Sequence, residues 1–140
     1  MTLSFSAVGV FCEDIREETS GQMTLVGVMP DNVNVPSVPA FIPKLALYVR
    51  VHFDLATTAR VFSARIIVPQ RPDYQLAPPD DRIIAQAKAK AAADGNPFAG
   101  VIAKSILAQF LISSFGRIEA VVTVDGADYV CAALNIKQAT

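Results

Sequence analysis

Five of the six residues from Glu13 to Glu18 are charged: Glu13, Asp14, Arg16, Glu17 and Glu18. Paired carboxylates shift one another's titration, and such a pair can do acid–base work or hold a divalent cation. A second polar row lies at Tyr48, Arg50, His52 and Asp54, every other residue of one run. It presents a guanidinium, an imidazole and a carboxylate on a single side of an extended strand. His52 is the chain's one histidine, so it cannot by itself indicate a triad.

The bland reading of each constellation is strong. In an extended strand Phe11, Glu13 and Ile15 share one face, and Cys12, Asp14 and Arg16 share the other. Neighbouring acids then point apart, and the bland reading is that the first strand ends and a charged turn leads through Thr19-Ser20-Gly21 into the second. Arg16 could satisfy Asp14 two residues away, or either could cap a loop. The Tyr48–Asp54 row reads equally as a solvated sheet face. Its sharper reading is a binding face, built from Tyr48, Arg50, His52 and Arg65 with Asp14, Arg16 and Glu17 of the first turn. The Gly-x-Ser-x-Gly elbow, His-Glu-x-x-His, the phosphate-binding loop and the dinucleotide glycine pattern are all absent from the sequence. No catalytic residue is assigned, and no cofactor is implied.

The elements that must position these residues are strands. In "KLALYVRVHFDL", Leu45, Leu47, Val49, Val51, Phe53 and Leu55 alternate with polar positions, which predicts one buried and one wet face. "RVFSARIIV" follows, with Phe62, Ala64, Ile66 and Val68 on one side. The short link predicts an antiparallel hairpin turning at Thr57-Thr58. Its register sets Phe53 opposite Phe62, Val51 opposite Ala64 and Arg50 opposite Arg65. Two opposed guanidinium groups call for an offsetting carboxylate, anion or acidic partner.

"RIEAVVTV" and "ADYVCAALNIK" predict a second hairpin around Asp125-Gly126. A three-residue loop, Val124 to Gly126, would align Ala120 with Val130 and Ile118 with Ala132. Earlier strands are expected at Ser4–Cys12, Gln22–Met29 and Val33–Val35. Prolines 30, 36, 39 and 43 mark an irregular crossover or edge, and Pro69, Pro72, Pro78 and Pro79 mark another connection. The acidic start, alanine-rich body and Gly95-Asn96-Pro97 ending of the next segment predict a helix from Asp81 to Ala93. Residues 101–113 suit helix or strand, and the strand is preferred. Seven or eight strands with one helical insertion near 81–93 predict a mainly β, antiparallel, immunoglobulin-like sandwich in a single domain, residues 1–140.

Composition narrows the functional classes. The 140 residues are 52% hydrophobic and 18% charged, with net charge -1. That balance gives no electrostatic case for nucleic acid or an anionic membrane. No apolar run is long enough for a membrane helix, and the start does not read as a secretory signal. Cys12 and Cys131 are expected to be buried, reduced thiols in a cytoplasmic protein. With His52 they make no zinc set.

The stretch "FCEDIREETSGQMTLVGV", with Pro30-Asp31 and "IPKLALYVR" from Ile42, resembles a family of small bacterial proteins classed as a domain of unknown function. The resemblance covers the first third best, and it implies a compact β-sandwich without carrying an activity. The expected function is a non-enzymatic module that binds a protein partner or self-associates as a homo-oligomer. The alternative is a small hydrolase-like enzyme using the first-turn acids and His52. A pocket joining Asp14 or Glu17 to His52 would discriminate the two.

Overall fold

The computed structural model describes residues 5–56, 62–77 and 81–139; Ser4, the Thr57–Thr58 turn and Pro78–Pro79 lie outside them. The elements are β1 (Phe5–Glu17), β2 (Met23–Val28), β3 (Asn32–Val35), β4 (Ala40–Asp54), β5 (Phe62–Ile67), β6 (Tyr74–Gln75), α1 (Asp81–Ala93), β7 (Phe98–Ile112), β8 (Gly116–Val124) and β9 (Ala127–Gln138). The strands form two sheets, ordered β2-β1-β4-β7 and β3-β9-β8-β5-β6. The protein is therefore mainly β with one short helix, and the helix has its expected bounds. The ambiguous run 101–113 falls almost wholly within β7. All pairings among the described strands are antiparallel except β3 with β9. The immunoglobulin-like reading is supported at the level of two facing sheets and goes no further.

A single core fills the space between the sheets. Leu45, Leu47, Val49, Val51 and Phe53 of β4 meet Phe62, Ala64 and Ile66 of β5 and Ile118, Ala120 and Val122 of β8 there. These are the alternating residues, each set on the inward side of its strand. Ile84 of α1 joins this core, and Lys88 Nζ lies 5.9 Å from the centre of the Phe53 ring. The helix thus packs on the inner side of β7.

The expected β4–β5 hairpin does not form. β4 pairs with β1 and β7, whereas β5 pairs with β8 and β6. The chain passes from one sheet to the other between Asp54 and Phe62. Phe53 and Phe62 do meet, edge to face, with ring centroids 6.5 Å apart, but across the core and not along a ladder. Arg50 and Arg65 consequently lie in different sheets, on opposite outer faces. The error has a simple cause: alternation states which side of a strand is buried, and both hairpin and sandwich bury the same residues.

The β8–β9 hairpin forms with a different turn. Val124 pairs with Ala127, leaving the two-residue loop Asp125-Gly126, with φ of 49° and 86°. Both residues are left-handed, as a type I′ turn requires. The extra residue sits in the ladder instead. Ala120 pairs with Ala132 and Val121 with Val130, so Cys131 is bulged. Ile118 then pairs with Leu134, and Val130, expected inward, is 46% exposed. A bulge restores the parity of the apolar faces as well as a longer loop does. Gly126→Val should lower stability by about 1–2 kcal/mol, because a branched residue resists the left-handed region. A chemical-denaturation midpoint equal to that of the wild type would refute the turn assignment.

Pro43, expected at a crossover or edge, lies inside β4. The ladder between β1 and β4 ends at Cys12–Ala46, and the β4–β7 register passes from Ile42–Phe110 to Lys44–Ala108, so Pro43 has no ladder partner on either side. A missing N–H is tolerated where the flanks are unpaired.

Candidate functional site

β1 continues past its last pairing with β4, and Glu13–Glu17 is accompanied only by β2. The two strands form an arm that turns at Glu18–Gln22, where Glu18 N–H donates to Gln22 O at 2.8 Å. The strand expected to end at Cys12 runs on to Glu17, so the charged cluster is not a turn but one limb of the hairpin. The arm folds over the outer face of the first sheet. Cys12, Ile15 and Ala46 are buried together there, with Met23, Leu25 and Tyr48 packed around them. This is a second, small core outside the sandwich.

The expected sharing of a face by Phe11 and Ile15 fails at this bend. Phe11 belongs to the main core, whereas Ile15 joins Cys12 in the outer cluster. Asp14 Oδ1 accepts the Ile15 N–H at 3.0 Å, which fixes the chain where its facing changes. Glu13 lies over Gly27, whose φ is +64°. The acids are dispersed. Glu17 is ion-paired with Lys104 of β7, Arg16 lies 3.9 Å from Glu18, and Glu18 accepts from Thr24 at 2.8 Å. No group of three or more metal-ligating side chains is found among the described residues.

Between the arm and the sheet is a cleft of about 490 Å³, lined by Gly21, Gln22, Met23, Thr24, Tyr48, Arg50 and Ile102. Arg50 is exposed, and no hydrogen bond or ion pair joins its side chain to any described residue. Its guanidinium group lies close over Gly100, where an added Cβ would be 3.3 Å from Nε. A side chain at position 100 would displace it. The cleft is therefore lined by a cation that the fold leaves uncompensated, beside a phenol and an amide, the Thr24 hydroxyl being already donated to Glu18. Such a set recognises a carboxylate or another small anion by charge-assisted hydrogen bonds.

The fold brings Tyr48, Arg50, His52 and Glu17 to the outer face of the first sheet, whereas Asp14 and Arg16 alternate with Ile15 and Glu17 along the arm and fall on its other side. It leaves Arg65 on the other sheet, where Thr123 Oγ1 accepts from it at 2.9 Å and Asp128 at 3.1 Å, with Asp73 at 3.5 Å. Its charge is offset within the chain. His52 stands outside the cleft, paired with Ser6 and Gly100. Gln22, Thr24, Ile102 and Lys104 were not anticipated. Only the apolar pair Met23 and Leu25 hinted that this hairpin has a surface to cover.

Burial, and then the Arg50 charge, hold the His52 imidazole below its usual value. The unfolded chain then takes up a proton at higher pH than the folded chain does. Stability should fall as pH drops below about 6.5, through the interval down to the folded-state value. Proton NMR of the ring should give a midpoint under 6.5, and Arg50→Gln should raise it. A midpoint unmoved by that change would remove Arg50 as a cause.

Cys12 is buried, as expected, but Cys131 is only half-buried, and both are free. Burial raises the Cys12 thiol and pushes that of Cys131 up to about 11. Both are poor nucleophiles at neutral pH. No helix among the described residues is long and apolar enough to cross a membrane.

A family model described as a family of unknown function, DUF6941, matches residues 7–137. No curated protein and no solved structure matches the chain.

Proposed function

We propose that this chain, which belongs to the family of unknown function DUF6941, is a non-enzymatic protein-binding module acting through the outer face of its first sheet. The reading rests on one observation: Arg50 stands exposed and uncompensated in the cleft under the β1–β2 arm. An acidic side chain of a partner would occupy the cleft, while exposed Val8 and Ile106 on the same face supply apolar contact. The free thiols support a cytoplasmic setting. The hydrolase reading gains no support, because neither an acid nor His52 lines the cleft.

The test is capture from native lysate with three baits: wild type, Arg50→Gln and Arg65→Gln. A partner recovered by the wild type and by Arg65→Gln, and lost with Arg50→Gln, supports the proposal. Equal recovery by all three baits refutes it.

A further inference from the structure

Gly100 lies inside β7, directly opposite His52 of β4. A glycine within a strand weakens it and often marks a place where another group approaches closely. The space above Gly100 is shared by two side chains. From the point where a Cβ would stand, Arg50 Nε is 3.3 Å away, His52 Cδ2 3.4 Å and Arg50 Nη2 3.5 Å. The two groups are therefore within about 7 Å of each other, close enough for a charge on one to oppose a charge on the other.

No carboxylate among the described residues is joined to either group. β1 sets Val8 beside Arg50 and Ser6 beside His52, and β7 sets Ile102 and Gly100 there; none of the four titrates. Asp54, next along the same face, accepts the Ala56 N–H at 2.9 Å. Lys104 of β7 is paired with Glu17, and Glu18 of the arm is engaged by Thr24 and Arg16. Tyr48 and Gln22 line the cleft on the other side of Arg50.

We propose that Arg50 and His52 form a proton-linked anion site, in which a carboxylate held by Arg50 favours the protonated imidazole and the protonated imidazole tightens the hold on the carboxylate. The inference rests on the reading of the cleft as the seat of a partner's acidic side chain, and adds its regulation. An empty Arg50 opposes a second positive charge beside it, and a bound carboxylate removes that opposition. The effect is reciprocal. Burial first and Arg50 second hold the imidazole below its usual value, and the anion relieves only the second cause. The bound form then keeps its proton to higher pH than the free form does. Affinity rises as pH falls below about 6.5 and levels off beneath the free-form midpoint.

The test is proton NMR of the His52 ring in the whole protein, titrated in sodium chloride and again in sodium trifluoroacetate at equal ionic strength. Trifluoroacetate is a carboxylate that stays ionised throughout, and fluorine NMR gives its affinity. The midpoint in trifluoroacetate should be higher by about half a pH unit or more, matched by binding at least about threefold tighter at about pH 5 than at about pH 8. Arg50→Gln should abolish both the binding and the rise. His52→Gln should bind trifluoroacetate with one affinity at both pH values. Binding that is lost with Arg50→Gln but leaves the His52 midpoint unmoved overturns the coupling and leaves the cleft reading standing. Absence of binding, or binding unaltered by Arg50→Gln, overturns both.

Discussion

Phe53→Ala should cost about 3–5 kcal/mol, the range for emptying a buried aromatic site. Phe53 is fully buried, meets Phe62 of the opposite sheet edge to face at 6.5 Å, and lies under Lys88 of the helix. One ring therefore joins both sheets and α1. Urea unfolding gives the loss directly, and Phe53→Leu should lose much less. Because the Phe53–Phe62 contact crosses the core, a double-mutant cycle should return a coupling of about 0.5–1.5 kcal/mol. A loss under about 1 kcal/mol for Phe53→Ala would mean that the ring does not join the two layers.

Gly9→Ala is expected to cost about 1–3 kcal/mol, the range for overpacking a filled core. A Cβ at position 9 would stand 2.7 Å from Cys131 Sγ, 3.1 Å from Ala132 Cβ and 3.3 Å from Cys131 O. β1 and the bulge of β9 touch at this point, one from each sheet. Cys131→Ala in the same chain removes the nearest atom, so the double variant should lose less than the two singles together. Strict additivity by chemical denaturation would show that the clash is not with the thiol.

Much of the fold was legible in the pattern of residues. Alternation marked the inward side of β4, β5 and β8, and the helix signals placed α1. What alternation cannot tell is whether two inward-facing strands are neighbours or opposites. Phe53 and Phe62 were rightly brought together by the wrong geometry, and the same assumption wrongly joined Arg50 to Arg65. The candidate site was half legible for a similar reason. Tyr48, Arg50 and the first hairpin were separately conspicuous, but their meeting depends on the bend at Asp14. That bend is made by a side chain bonding to the next residue's amide, and the ladder to β4 ends two residues earlier. No periodicity records such an event. Lys104, in an otherwise apolar strand, acquires its meaning only when Glu17 arrives over it.

The pairing of β3 with β9 has a bearing on how the molecule comes into being. Asn32 and Asn135 are hydrogen-bonded at 3.3 Å although 103 residues separate them. The chain must close that loop before the contact returns any energy. Pairings between distant segments slow folding, and here the second sheet has β9 between β3 and β8. During synthesis the β1–β2 hairpin can form early, but β3 has no strand to lie against until residues 127–138 have emerged. Until then the part of the core that Leu134 and Ile136 of β9 cover stays open, and the nascent chain exposes apolar surface of the kind that promotes aggregation.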